Sequence, residues 1–120
     1  MKCSNPDCNC IIFHEDEYNK VKKNIIEDEE LTDISNYLKV LADFTRLKIV
    51  EAVSYNELCV CDIGHLLGLT KSALSHQMRL LREHKIVKST KKGKMVYYEL
   101  DESFPKELID LVRNYLGGNK

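Results

Sequence analysis

The tripeptide Gly68-Leu69-Thr70 stands between two short stretches of helical periodicity. It constrains the fold of this 120-residue chain more than any other feature. Before it, Ile63, Leu66 and Leu67 mark the apolar positions of a helix from Glu57 to Leu67. Gly68 takes the stop position, where the missing Cβ permits the left-handed turn that ends a helix. After it, Thr70 suits an N-cap, and Leu74, Met78 and Leu81 recur at helical spacing as far as His84, with Leu80 widening the stripe. Two short helices joined by such a turn, the second of them basic, match a helix-turn-helix.

The flanking segments complete a pattern. Glu15 to Glu27 reads as a charged helix with sparse apolar positions. Thr32 or Asp33 caps a helix running to Leu41, and Asp43 caps another in which Leu47, Val50 and Val53 form a stripe widened by Ile49. Ile86–Thr90 and Met95–Leu100 are rich in β-branched and aromatic residues and enclose Lys91-Lys92-Gly93-Lys94, the pattern of a β-hairpin with a basic tip. Pro105 suits the first turn of a last helix, whose apolar positions are Leu108, Ile109, Leu111, Val112, Tyr115 and Leu116. The expected fold is mainly α with a β-hairpin wing, a winged helix-turn-helix. Residues 1–14 read as a flexible Cys-bearing arm and 15–120 as a single domain. Apolar residues at 43% and charged residues at 31% fit an ordinary globular domain. No apolar run approaches the ~18 residues of a membrane helix. The polar N-terminus, Met1-Lys2-Cys3-Ser4, lacks the apolar core of a signal peptide, so a cytoplasmic location without membrane partners is expected.

The formal net charge of -1 hides an asymmetry. Residues 71–94 hold eight basic side chains and one acidic one, Glu83, whereas residues 1–36 hold nine acidic and four basic. Such a concentrated positive field is the electrostatic footprint of a polyanion-binding surface. A helix fits the major groove, and its N-terminal residues reach base edges; here these are Lys71, Ser72, Ser75, His76, Gln77 and Arg79. Lys91, Lys92 and Lys94 on the wing suit phosphate or minor-groove contacts. Two such helices one DNA turn apart read a palindrome, which predicts a homodimer on double-stranded operator DNA. The apolar stripes of the first and last helices are wider than a small core needs.

Five cysteines is an odd number, and cytoplasmic thiols are mostly reduced, so metal or redox chemistry is expected rather than a disulfide framework. Cys59 and Cys61 fall at the start of the first helix of the DNA motif. Two residues apart inside a helix they point to different sides, but at a helix start the leading residue is still extended and both sulfurs can converge on one ion. Cysteine thiolates select soft or borderline ions such as Cd(II), Pb(II), Zn(II) and As(III). Cys8-Asn9-Cys10 is a second such pair in the arm, with Cys3 as a spare. Paired thiols also oxidise, which leaves a redox-sensing repressor of the same fold as the alternative. A C-x-x-C motif, an obvious acid–base pair and a phosphate loop are all absent, so the chain does not read as an enzyme.

Two segments carry a family resemblance. Asp62-Ile63-Gly64-His65-Leu66-Leu67-Gly68-Leu69-Thr70 with Ser72-Ala73-Leu74-Ser75-His76-Gln77-Met78-Arg79-Leu80-Leu81-Arg82 resembles the winged helix-turn-helix of the ArsR/SmtB metal-sensing repressors. Leu38 to Val50, containing Ala42-Asp43-Phe44-Thr45-Arg46, is similar to that family's upstream segment. The resemblance covers roughly residues 31–116. It implies a homodimeric repressor that binds its operator as apo-protein and leaves it when metal binds, with the first and last helices forming the dimer interface. Glu57-Leu58-Cys59-Val60-Cys61-Asp62 is similar to the metal box of arsenic sensors and of CadC-type cadmium/lead sensors. Gly64 stands where arsenic sensors of one type carry a further Cys. CadC-type sensors instead draw extra thiolates from an N-terminal arm. Cadmium or lead as inducer, with zinc open, is the implied effector. A second family site pairs Asp with His at the last helix; here Asp101 matches but Ser103 replaces the His, so that site is expected to be absent or crippled.

Overall fold

The computed structural model describes residues 11–117. The chain divides into two compact units, Met1–Ser35 and Asn36–Lys120.

In the first unit α1 spans Glu15–Asn24. Glu15, Asp16 and Glu17 lie in its first turn and Lys22 and Lys23 in its last, so side-chain charge complements the helix dipole at both ends. The helix stops at Ile25, which is extended. α2, Asp28–Leu41, has its first eight residues in the first unit and the rest, from Asn36, in the second; it starts before the expected Thr32 or Asp33 cap. Asp28, Glu29 and Glu30 fill its first turn and stabilise the start electrostatically. The Thr32 hydroxyl donates back to the Asp28 carbonyl at 2.8 Å rather than capping.

The second unit holds the rest: α3 (Phe44–Tyr55), β1 (Leu58–Cys59), α4 (Val60–Leu67), α5 (Lys71–Glu83), β2 (Val87–Lys92), β3 (Met95–Leu100) and α6 (Glu107–Tyr115). The Asp43 carboxylate accepts from the Arg46 amide at 3.1 Å and caps α3, as its position predicts. The strands form one antiparallel sheet in the order β1-β3-β2. Val87 pairs with Leu100 and the ladder runs to Lys92 opposite Met95. Two boundaries differ from the sequence reading. Leu58 and Cys59 are not helical: they pair with Tyr98 and Tyr97 and cover the edge of β3 that the hairpin leaves open. The hairpin tip is also shorter than expected, because Lys91 and Lys92 belong to the strand. Only Gly93 and Lys94 form the turn, with Gly93 at φ 65°, where a two-residue loop that follows the strand twist needs glycine.

The core is built where α3, α4 and α5 meet the sheet. Ile49, Ile63, Leu74, Met78, Leu81 and Ile86 are fully buried. Each contributes about 1.5–3 kcal/mol of transfer free energy. Leu74, Met78 and Leu81 are the predicted inner stripe of α5. After α5 the chain reverses through Lys85 at φ 56°, the one non-glycine residue with positive φ among those described. The Ile86 amide reaches the Leu81 carbonyl at 2.9 Å and closes the turn.

Candidate functional site

The turn between α4 and α5 is fixed by backbone geometry. Gly68, at φ 66°, ends α4, and the Leu69 amide donates to the Gly64 carbonyl at 3.0 Å. The Thr70 hydroxyl accepts from the Ala73 amide at 3.1 Å and starts α5. With Leu74, Met78 and Leu81 buried, the opposite face of α5 looks outward. There Lys71, Ser72, Ser75, His76, Arg79 and Arg82 line one open hollow of about 590 Å³. Five of the six α5 residues predicted to meet DNA are thus together. Arg82 joins them; its signal was legible, since Ser75, Arg79 and Arg82 share one helical stripe.

Gln77 is placed differently. Its side-chain oxygen accepts from Arg46 Nη1 at 2.9 Å, and Arg46 Nε donates to the Val40 carbonyl at 2.5 Å. Arg46 therefore ties the end of α2 and the start of α3 to the outward helix. No local pattern announces a contact across 31 residues, so sequence reasoning misses Arg46.

The wing lysines are not equivalent. Lys92 pairs with Glu57 at 2.6 Å and lies 4.9 Å from the centre of the Tyr97 ring. The hydrogen bond to Glu57 raises its pKa above the ordinary lysine value. Lys88 bridges Glu102 at 2.8 Å and Glu99 at 3.3 Å. Lys91 and Lys94 are exposed and have no ion pair among the described residues. They remain the wing's uncompensated positive charges.

Cys59 ends β1 and occupies the N-cap position of α4, extended at φ -67° and ψ 144°, with its side chain buried. Cys61 is the second residue of α4 and is exposed. Both are free thiols. Cys3, Cys8 and Cys10 lie outside the described residues. Among the described residues no three His, Cys, Asp or Glu side chains are grouped to hold an ion. Cys61 does share a concave pocket of about 550 Å³ with Val60, Gly64, His65, Gly68, Leu69, Lys71 and Leu74. Asp101 is engaged otherwise: its Oδ1 accepts from the Ser103 amide at 2.9 Å and the Ser103 hydroxyl at 2.8 Å. Both bonds hold its carboxyl below the usual aspartate range.

One further surface is apolar. Leu38, Leu41, Ala42, Leu47, Leu108, Ile109, Val112 and Leu116, with Arg113, line a groove of about 610 Å³ between α2, α3 and α6. Leu111, Val112 and Tyr115 on α6, and Leu116 just after it, are all at least half exposed.

Residues 43–89 match the family described as bacterial regulatory protein, arsR family. The chain is 38% identical over 104 residues to a cadmium resistance transcriptional regulatory protein CadC homolog of Staphylococcus aureus, covering 86% of this chain and 85% of that protein. The chain belongs to the ArsR/SmtB family. A transcriptional repressor SmtB homolog of Synechocystis is 31% identical over 119 residues, covering 97% of this chain and 90% of its own. Among solved structures, HlyU from Vibrio cholerae superposes with a TM-score of 0.65 at 30% identity, covering 75% of this chain and 97% of that one. The α4–α5 unit and its hairpin are thus the DNA-binding winged helix of an ArsR/SmtB transcriptional repressor, not part of an enzyme. No helix among the described residues is long and apolar enough to cross a membrane.

Proposed function

We propose that this ArsR/SmtB protein is a metal-responsive repressor. It binds operator DNA as an apo homodimer and is released by a soft ion, cadmium or lead, held on cysteine thiolates. The observation that carries the reading is the position of the thiol pair. Cys59 and Cys61 straddle the start of α4, the helix whose far end forms the turn into the DNA-facing α5. A change at one end of α4 therefore acts on a rigid element that supports α5.

The donor set fits a thiophilic ion in part. Two sulfurs, one on an extended N-cap residue and one in the first helical turn, suit two positions of a three- or four-coordinate site. The remaining thiolates are assigned to the arm, Cys8 and Cys10 with Cys3 as a substitute. When bound, the ion supplies a cross-link between arm and α4. In the apo state Lys71, Ser72, Ser75, His76 and Arg79 meet base edges and nearby phosphates, and Lys91 and Lys94 hold flanking phosphates. Gln77 holds Arg46. Lys92 joins the phosphate contacts only by leaving Glu57.

The uncovered α2–α3–α6 groove supports the homodimer, because an apolar face of this kind is costly in a monomer and a second copy supplies a matching face by two-fold symmetry. The CadC homolog's name supports cadmium as effector. The test is fluorescence anisotropy of reduced protein on an operator duplex selected from a random library. Saturable binding at two protomers per duplex, reversed by Cd(II) or Pb(II) and not by diamide, supports the reading. Release by diamide with indifference to metal supports the redox alternative instead.

A further inference from the structure

α4 carries a second potential ligand. Cys61, Gly64, His65 and Gly68 fall at i, i+3, i+4 and i+7, one stripe on one face of the helix. Two of the four positions are glycines. The stripe therefore carries two functional groups, the Cys61 thiol and the His65 imidazole, one helical turn apart. Both are exposed, and both line the 550 Å³ pocket whose other wall is Leu69, Lys71 and Leu74. A Cβ at Gly64 meets Leu74 Cδ2 at 3.4 Å, so Leu74 of α5 packs against α4 at this glycine. The pocket is the inner corner of the helix-turn-helix itself.

We propose that His65 is a metal ligand that acts with Cys61, placing the ion in the corner between α4 and α5. This rests on the reading of the chain as a thiolate metal sensor and deepens it by naming a nitrogen donor. Three arguments carry it. A thiolate and an imidazole at i and i+4 on an exposed helix face lie close enough to chelate one borderline ion. The Cys59 thiol is buried at the end of β1, whereas Cys61 and His65 are both exposed and line one pocket, so they are the accessible thiol–imidazole pair within α4. Apolar pocket walls, Val60, Leu69 and Leu74, also limit solvent on one side of an ion held there.

The position has a consequence for DNA. Lys71, the first residue of α5, lines the same pocket and is one of the DNA-facing cations. A divalent ion on Cys61 and His65 brings like charge against the Lys71 ammonium and turns it from its phosphate. Part of the metal response is thus exerted at the DNA surface directly, within one protomer.

The test uses full-length reduced protein and Cd(II) alone. Sulfur-to-metal absorption reports the thiolates, and NMR of isotope-enriched protein reports scalar coupling between cadmium and the His65 ring nitrogen. The expected result is that coupling, together with a loss of Cd(II) affinity of at least about tenfold in His65→Gln, the scale that even outer-shell partners reach. His65 is exposed, so this variant keeps the fold. A normal thiolate band that depends on Cys59 and Cys61, with no coupling and unchanged affinity in His65→Gln, overturns the assignment of His65 and leaves the thiolate sensor intact. No thiolate band in the wild-type protein overturns both.

Discussion

Beside the buried Leu74, Met78 and Leu81, a polar link from Gln77 to Arg46 ties α5 to the body of the domain. The perturbation is a double-mutant cycle of Arg46→Met and Gln77→Leu. Arg46 makes two part-buried hydrogen bonds, to Gln77 Oε1 at 2.9 Å and to the Val40 carbonyl at 2.5 Å. Bonds of a charged donor contribute ~1.5–3 kcal/mol each, the lower end applying where water has access. Arg46→Met breaks both and strands two acceptors, so a destabilisation of about 2–4 kcal/mol is expected. Gln77→Leu breaks one and costs about 1–2 kcal/mol. The bond common to both variants makes the pair non-additive by roughly 1–2 kcal/mol. Urea denaturation at fixed protein concentration measures this through the shift in midpoint at constant slope. Operator binding gives a second readout. Bidentate adenine recognition by glutamine uses its carbonyl oxygen, whose direction the bond from Arg46 fixes towards the domain body. Gln77→Leu therefore weakens all operators alike rather than changing preference at one base pair. Coupling within the ~0.3–0.5 kcal/mol scatter of independent sites would mean that the two side chains do not act together. A one-position change of specificity worth ~1–3 kcal/mol would mean that Gln77 reads a base directly.

Other expectations follow from single residues. Lys94→Ala removes an uncompensated wing charge and lowers the log–log salt slope of operator binding by roughly 0.9 for each phosphate that is no longer neutralised. Lys92 is paired with Glu57, so Glu57→Gln is expected to strengthen operator binding, read in the same anisotropy titration. Lys85→Gly relieves a left-handed backbone position and is expected to stabilise the protein by about 1 kcal/mol, a melting-temperature rise of a few degrees. Asp101 titrates below ordinary aspartates because Ser103 bonds its charged form. Its contribution to stability is present above the unfolded-state pKa and is lost as pH falls through the lowered folded value. Ser103→Ala returns the Asp101 carboxyl towards the ordinary range in an NMR titration and flattens that acid limb.

Much of this fold is legible because local chemistry and global packing agree. Asp43, Gly68 and Thr70 are placed by capping rules that depend only on neighbouring residues, and each does what the rule says. The 74/78/81 stripe is buried because its period matches the helix. The features that are not legible need long-range partners. Leu58-Cys59 becomes a strand only because Tyr97 and Tyr98 offer an open edge, and no pattern in two residues shows that. Gln77 is expected at the DNA surface, and its bond to Arg46, 31 residues away, has no local signal. Lys92 reads as free charge until Glu57, 35 residues away, is placed against it. Cys61 and His65 already share a face of the expected Glu57–Leu67 helix, but the pocket they line with Leu69, Lys71 and Leu74 emerges only from the packing of α4 on α5.

In the proposed mechanism metal and operator oppose each other through this one chain. Linkage requires the opposition to be reciprocal: whatever factor Cd(II) takes from operator affinity, the operator takes from Cd(II) affinity. The most direct measurement is an anaerobic Cd(II) titration of the reduced protein, free and operator-bound, following sulfur-to-metal absorption with a competing chelator. The predicted result is weaker Cd(II) binding on DNA by the same factor that Cd(II) weakens DNA binding, at least the ~5–150-fold of ordinary coupling of ~1–3 kcal/mol. The Cys59→Ser/Cys61→Ser protein should show neither effect. Equal Cd(II) affinity in the two states contradicts the claim.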